Sequence, residues 1–154
     1  MSVRRSVPVL IALAAVLCGV PAAADTFVGG PGPDRLVGTP GRDRMDGRGG
    51  NDRLRGRGGA DRLNGGAGND LVAGDAGPDR LFGGPGNDYV LGGAGNDVLV
   101  GGPGFDTLLG GAGDDVIRAR DHAEDNVFCG DGQDRVVADL QDTVSADCEV
   151  VSRD

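Results

Sequence analysis

A glycine- and aspartate-rich repeat of nine residues runs through most of this 154-residue chain. It begins at Gly29 and continues for ten blocks without an insertion, ending at Arg118. The blocks read GGPGPDRLV, GTPGRDRMD, GRGGNDRLR, GRGGADRLN, GGAGNDLVA, GDAGPDRLF, GGPGNDYVL, GGAGNDVLV, GGPGFDTLL and GGAGDDVIR. A fixed period of this kind is typical of a solenoid, in which each repeat adds one structural unit to a stack. The repeat therefore constrains the fold more than any other feature.

Three positions of the block never vary, and a fourth is always apolar. Positions 1 and 4 are glycine and position 6 is aspartate in every block. Glycine permits positive φ, so positions 1 and 4 predict a sharp turn. Position 8 is a medium-sized apolar residue in every block, which makes it the candidate core position. Its residues are Leu36, Met45, Leu54, Leu63, Val72, Leu81, Val90, Leu99, Leu108 and Ile117.

The block pattern GGxGxDxUx, with U an apolar residue, resembles the RTX (repeats-in-toxin), or haemolysin-type, calcium-binding repeat family. The resemblance covers residues 29–118. It implies an all-β fold, a parallel β-roll in which the first six residues of each block form a calcium-binding turn and the last three form a strand. Two blocks then make one coil, so odd and even blocks build two facing parallel sheets.

The invariant aspartates at position 6 are the candidate metal ligands. Calcium prefers six to eight oxygen ligands, and turn carbonyls with a carboxylate supply only oxygen. The blocks contain no His or Cys, so zinc, copper and iron are poorly served. Stacked carboxylates repel one another unless a cation lies between them, so binding of several calcium ions and folding should be one event. The predicted ligands are Asp34, Asp43, Asp52, Asp61, Asp70, Asp79, Asp88, Asp97, Asp106 and Asp115.

Position 2 departs from glycine in four blocks. Thr39, Arg48, Arg57 and Asp75 stand there. If this position requires positive φ, these turns are strained. An arginine beside a cation site also adds like-charge repulsion. We therefore expect weaker sites in blocks 2–4 and the strongest sites in blocks 5–10.

The composition agrees with a cation as the principal ligand. Of 24 acidic residues 22 are aspartate, all 15 basic residues are arginine, and the formal net charge is −9. This acidic surplus argues against nucleic acid and anionic membranes as partners. With 31 glycines and only 3% aromatic residues, the chain is also close to the composition of disordered proteins. That alternative applies to the chain without metal.

Residues 1–24 have the layout of a secretory signal peptide. Arg4 and Arg5 precede an apolar stretch over 7–20, and small residues follow up to Ala24. We expect cleavage after Ala24, export from the cell, and no membrane span in the mature chain. An uncleaved anchor is the alternative. The predicted organisation is then a signal peptide over 1–24, the calcium-binding β-roll over 25–118, and degenerate repeats with a C-terminal cap over 119–154.

The two cysteines of the C-terminal segment, Cys129 and Cys148, predict a disulfide, since an even count is typical of exported chains. The bridge should staple the cap that covers the open end of the sheets. A redox-active pair is disfavoured because no Cys-x-x-Cys arrangement is present.

The repeat register slips after Arg118, and Asp134 in a degenerate block is a weaker candidate ligand. The single histidine, His122, is interpreted as a solvated loop residue.

The outward positions 7 and 9 change along the repeat. Blocks 1–4 place arginine there, and later blocks place Leu71, Tyr89, Leu91 and Leu109 on one sheet face. The apolar face is either an interface or is covered by the C-terminal cap. The arginine row either balances nearby carboxylates or forms a site for an acidic polymer.

No enzyme motif is present, neither His-Glu-x-x-His nor Gly-x-Ser-x-Gly, and we predict no catalytic activity. The favoured function is a secreted calcium-binding protein, a structural or interaction module outside the cell. The alternative is an accessory calcium-dependent module for an extracellular enzyme, protein or polysaccharide. An ice- or polymer-binding rod would need a more regular outward array than positions 7 and 9 provide.

Overall fold

The computed structural model describes residues 24–153, and its regular structure is entirely β-strand. The predicted signal peptide lies outside the described residues except for Ala24. No helix in the described range is long and apolar enough to cross a membrane. The strands are β1 (Asp25–Val28), β2 (Arg35–Val37), β3 (Asp43–Asp46), β4 (Arg53–Gly58), β5 (Arg62–Asn64), β6 (Leu71–Ala76), β7 (Arg80–Phe82), β8 (Tyr89–Ala94), β9 (Val98–Val100), β10 (Thr107–Ala112), β11 (Val116–Arg118), β12 (Asn126–Asp131), β13 (Arg135–Ala138), β14 (Thr143–Val144) and β15 (Val150–Arg153).

The strands form two parallel sheets, as the repeat predicts. The odd-numbered strands make an eight-stranded sheet in the order β1-β3-β5-β7-β9-β11-β13-β15, here called the odd sheet. The even-numbered strands make a seven-stranded sheet in the order β14-β12-β10-β8-β6-β4-β2, the even sheet. Residues pair with those two blocks away, as Leu54 pairs with Val72 and Val72 with Val90. The coil of two blocks and the two-sheet solenoid are therefore confirmed.

Position 8 forms the core between the sheets. From Met45 to Ile117 each of these side chains is at most 1% exposed, and only Leu36, in the first block, is partly buried. The core is a single column of apolar side chains on each sheet, because the flanking residues of each three-residue strand point outward. A fold with so thin a core depends strongly on what its turns contribute.

One further rung precedes the first block. β1 contains Asp25 and Phe27, which repeat the aspartate and apolar positions of a block, and Phe27 is 7% exposed at the end of the core. The large ring closes the N-terminal end of the apolar column. The sequence reading missed this rung because no glycine turn precedes it.

Glycine at position 1 has a different role from the one predicted. Position 4 has positive φ from Gly50 onward, with values such as 110° at Gly50 and 144° at Gly86, as expected. None of the position 1 glycines from Gly29 to Gly110 has positive φ. Position 1 is instead a place of close approach, where a side chain would strike neighbouring oxygen atoms. The prediction of a left-handed position 1 is thus wrong.

Position 2 requires positive φ in blocks 3–10. Arg48, Arg57 and Asp75 adopt φ of 74°, 84° and 75° there, a region unfavourable for residues with a Cβ atom. The predicted strain is confirmed for these residues. Thr39 is an exception, because its φ is not positive.

The C-terminal segment continues the solenoid. β12 pairs with β10 in a register shifted from 18 to 19 residues, Thr107 opposite Asn126, which accommodates the slip seen in the sequence. The predicted disulfide joins Cys129 to Cys148, with their Cα atoms 5.3 Å apart. The segment does not fold over the outer face of the even sheet, where Tyr89 and Phe128 remain 42% and 45% exposed. Of the two alternatives for this face, coverage by the cap is therefore excluded for the described residues.

Candidate metal centre

The position 6 aspartates lie in two buried columns, one beside each sheet. Each aspartate immediately precedes the strand of its block, or begins it in the case of Asp43, so its place is fixed by the strand register. From Asp43 to Asp115 the aspartates are at most 3% exposed, and Asp34 is half-buried. The column beside the odd sheet contains the aspartates of the even-numbered blocks, Asp43, Asp61, Asp79, Asp97 and Asp115. The column beside the even sheet contains those of the odd-numbered blocks, Asp34, Asp52, Asp70, Asp88 and Asp106.

From Asp43 onward, one carboxylate oxygen of each aspartate accepts an N–H of the preceding rung. The backbone N–H of Asp70 donates to Oδ1 of Asp88 at 2.8 Å, and the N–H of Asp88 donates to Oδ1 of Asp106 at 2.8 Å. The same bond, from the N–H of one aspartate to Oδ1 of the aspartate 18 residues later, recurs along both columns from Asp34 to Asp115. Its N···O distance is always 2.7–2.8 Å. We call this array the aspartate ladder. It explains why position 6 does not vary, because the carboxylate completes the backbone hydrogen bonding of the preceding rung.

The second carboxylate oxygen has no hydrogen-bond partner over most of the ladder. Oδ2 is buried and unpartnered in Asp52, Asp61, Asp70, Asp79, Asp88, Asp97, Asp106, Asp115, Asp125 and Asp134. A buried anionic oxygen without a donor or cation is costly. Its regular recurrence indicates that a ligand absent from the protein chain itself supplies the partner.

Most orphaned oxygens lie close to a carbonyl oxygen beside a position 1 glycine. A methyl group on Gly83 would lie 2.7 Å from the carbonyl oxygen of Gly101 and even closer to Oδ2 of Asp88. A carboxylate oxygen and a carbonyl oxygen of the next rung thus converge beside every position 1 glycine from Gly29 to Gly92. Only glycine leaves this oxygen-lined space open.

These donors fit calcium. They are all oxygens, one charged and the others backbone carbonyls, as hard cations prefer. Among the described residues no three His, Cys, Asp or Glu side chains cluster to hold a metal ion. The carboxylate of each block must therefore be supplemented by carbonyl oxygens. Those at positions 1 and 3 already accept inter-turn bonds, as Gly101 does from Gly84 N–H at 2.9 Å, and each carbonyl retains a second lone pair.

The first two blocks differ from the others. The N–H of Gly30 donates to Oδ2 of Asp34 at 2.5 Å, and the N–H of Thr39 donates to Oδ2 of Asp43 at 2.6 Å. The Thr39 hydroxyl adds a further bond to Asp43 at 3.1 Å. In these two turns position 2 lacks the positive φ that it has in blocks 3–10, and its N–H points to the aspartate of its own turn. Eight of the ten predicted ligands therefore have an unpartnered Oδ2 atom, whereas Asp34 and Asp43 do not.

Burial raises the pKa of the ladder carboxyl groups from Asp52 to Asp115, because the charged form loses its hydration. The pKa of Asp79 rises to about 7, with the neighbouring carboxylates Asp61 and Asp97 raising it further and the N–H of Asp61 opposing the rise. The pKa of Asp106 also rises to about 7. Values of about 6 apply to Asp61, Asp88, Asp97 and Asp115. Without metal, the folded state therefore favours protonated carboxyl groups.

The metal-free fold should consequently be most stable in acid. The unfolded pKa of aspartate is about 3.9, so the raised folded values favour folding below that pH, and this contribution disappears as pH rises through 6–7. We expect circular dichroism of metal-free protein to show more β-structure near pH 4.5 than at pH 8. With calcium the dependence should reverse, because protons compete with the metal. A metal-free β signal that grows with pH would contradict this assignment.

The ladder extends beyond the ten blocks. Asp125 and Asp134 accept the N–H groups of Asp106 and Asp115 at 2.8 Å, and both retain orphaned Oδ2 atoms. Asp134, the weaker candidate of the sequence analysis, thus has the same surroundings as the regular members. Asp125 is not among the ligands predicted from the sequence. No glycine turn precedes Asp125 in the sequence, so the remaining signal was the spacing from this aspartate to the apolar residue Val127.

A second ladder on the turns escaped the sequence analysis. The N–H of Asn69 donates to the side-chain oxygen of Asn51 at 2.9 Å, and the N–H of Asn87 donates to that of Asn69 at 3.0 Å. Asn96 continues it on the other side by accepting from Asp114 at 3.1 Å. The recurrent asparagine at position 5 was the available signal. These bonds hold adjacent turns together beside the aspartate ladder.

Comparison with known protein families agrees with this geometry. The RTX calcium-binding nonapeptide repeat matches in four copies, over residues 22–54, 37–72, 64–99 and 91–121. These matches span well over half of the chain, which therefore belongs to the RTX calcium-binding repeat family. It contains a calcium-binding structural module built as a parallel β-solenoid. No curated protein matched the chain.

Proposed function

We propose that this protein is an exported module that folds when calcium ions bind along the aspartate ladder. The orphaned Oδ2 atoms carry the proposal, because each is a buried charge that the protein leaves without a partner. Calcium would supply that partner and neutralise the repulsion between successive carboxylates. The ladder members of blocks 5–10, from Asp70 to Asp115, would bind most strongly, and those of blocks 3 and 4 less, because Arg48 and Arg57 strain their turns. Asp34 and Asp43, whose oxygens already accept hydrogen bonds, would also bind less.

Export is supported by two features. Residues 1–24 have the signal-peptide pattern, and the Cys129–Cys148 disulfide is typical of oxidising compartments. Calcium-binding modules outside cells have dissociation constants of about 10⁻⁴–10⁻³ M, which suits a site of one carboxylate and several carbonyls. The module would act as a structural or interaction element without catalysis, and N-terminal sequencing of secreted protein should begin at Asp25.

Substitution of one ladder carboxylate by an amide separates metal binding from folding. Asp88→Asn retains Oδ1 as the acceptor for Asp70 N–H but replaces the orphaned charged oxygen with a neutral donor. We expect calcium affinity at the adjoining sites to fall at least tenfold, whereas metal-free protein becomes slightly more stable. Isothermal titration calorimetry measures the first effect, and acid-to-neutral circular dichroism of metal-free protein measures the second.

The matched control is Asp46→Asn, which changes the same residue type outside the ladder. Asp46 is half-buried at position 9 and accepts from the Asn64 amide at 3.3 Å. Its substitution should leave the heat of calcium binding unchanged. Equal losses of affinity in the two variants would show that total negative charge, rather than the ladder, holds the metal.

A further inference from the structure

The N-terminal half of the solenoid has a basic exterior, although the protein as a whole is acidic. Residues 25–81 contain nine arginines and nine aspartates, and seven of those aspartates stand at ladder positions beginning with Asp25. Only Asp46 and Asp75 lie elsewhere, and Asp75 is paired with Arg55. When metal neutralises the ladder, the arginines dominate this half. The nine are Arg35, Arg42, Arg44, Arg48, Arg53, Arg55, Arg57, Arg62 and Arg80.

Three of these arginines form a column on the odd sheet. Arg44 pairs in register with Arg62, and Arg62 with Arg80, so their exposed side chains project from neighbouring strands. Adjacent strands lie about 4.8 Å apart. Within the described residues none of the three forms a salt bridge, although Arg62 stacks on Phe82 with its guanidinium 5.1 Å from the ring centre. The column ends at Val98 and Val116, which occupy the next strands.

The column borders a groove of about 510 Å³. Arg42 and Asn96 also line this groove, and the ladder residues Asp43, Asp61 and Asp79 border its buried side. Among the described residues that line it none is aromatic, so this part of the groove lacks the stacking platform of single-stranded nucleic acid sites. Guanidinium groups bind carboxylates through paired hydrogen bonds. A row of them at even spacing matches an extended polymer with carboxylates at regular intervals.

We infer that the groove beside Arg44, Arg62 and Arg80 binds a linear acidic polysaccharide of the uronic acid class, and does so only in the calcium-loaded protein. This inference rests on the proposed function, because calcium both orders the column and neutralises the carboxylates along the groove. Without metal, those carboxylates repel an anionic ligand. The acidic C-terminal half confines the polymer to the first part of the solenoid.

The test is fluorescence anisotropy of labelled hexagalacturonate with purified protein in calcium, with circular dichroism recorded on the same samples. We expect saturable binding that weakens as salt is raised, disappears in chelator, and falls at least tenfold in Arg44→Gln/Arg62→Gln/Arg80→Gln. The control Arg118→Gln/Arg135→Gln changes exposed arginines of the same sheet at its C-terminal end. It should bind within twofold of the unmodified protein.

Three outcomes would overturn the inference. They are equal losses in the two arginine variants, equal binding of neutral maltohexaose, and tighter binding of a phosphate polymer than of hexagalacturonate. Circular dichroism separates the two proposals. A folded protein that does not bind overturns the groove alone, whereas a protein that remains unfolded in calcium overturns the proposed function and the groove with it.

Discussion

Chelation of calcium at neutral pH is expected to abolish most of the β-sheet signal of this protein. Ten ladder oxygens are buried without a partner, and burial raises the pKa of carboxyl groups such as Asp79 and Asp106 to about 7. At pH 7.5 most of these groups must ionise, and like charges about 4.8 Å apart repel by roughly 1 kcal/mol in water and several times that near a protein surface. A core of one apolar side chain per block cannot offset this repulsion.

Calcium should restore the fold in a cooperative transition. Each site filled to 100 times its dissociation constant stabilises the folded state by about 2.7 kcal/mol, and several sites act on one stack. Each ladder aspartate also bonds to the preceding rung, so ordering one turn favours ordering the next. A calcium titration followed by far-ultraviolet circular dichroism should therefore be sigmoidal.

Magnesium provides the control for metal specificity. It requires near-octahedral geometry at shorter distances and gives up its water reluctantly, so turns built from carbonyls should accept it poorly. We expect little β signal at magnesium concentrations where calcium gives full folding. A chelated protein that keeps its β signal and melts cooperatively at neutral pH would show that the orphaned oxygens do not require a cation.

The sequence predicted the parts of this structure that the period determines. Nine-residue spacing assigns position 8 to the core, as the buried column from Met45 to Ile117 confirms, and the resemblance to RTX repeats implied the turns and the two sheets. The Cys129–Cys148 bridge followed from their being the only cysteines after the apolar N-terminal segment. These features depend on residue type and spacing alone.

Features that depend on contacts between rungs could not be predicted. The bond from Asp70 N–H to Asp88 Oδ1 joins residues 18 apart, and its geometry follows only from the stacked turns. For the same reason position 1 was assigned to positive φ, when its glycine is required by a neighbouring carbonyl. The different state of Asp43 also follows from backbone geometry, because Thr39 lacks the positive φ of position 2 in blocks 3–10 and its N–H donates to the aspartate of its own turn.

Gly83→Ala is expected to prevent folding even in saturating calcium. Its φ lies in the ordinary region, so backbone strain does not enter. The added Cβ would instead lie 2.7 Å from the Gly101 carbonyl oxygen, which is held by the Gly84 N–H at 2.9 Å. The backbone cannot yield without separating two rungs, so the free energy of unfolding should fall by about 3 kcal/mol or more. Metal binding should also weaken, because the methyl group would occupy the space beside Oδ2 of Asp88.

Gly49→Ala is the matched control because it makes the same change two positions along the turn of another block. Its Cβ would meet only the Ala67 carbonyl oxygen at 3.7 Å, an ordinary contact. Position 3 already carries alanine at Ala67, Ala76, Ala94 and Ala112, so stability should change by no more than about 0.5 kcal/mol. Urea unfolding in calcium measures both variants. If both variants unfold at the same denaturant concentration, the close packing of rungs does not explain why position 1 is always glycine. The role assigned to the oxygen-lined space beside Asp88 would then be wrong.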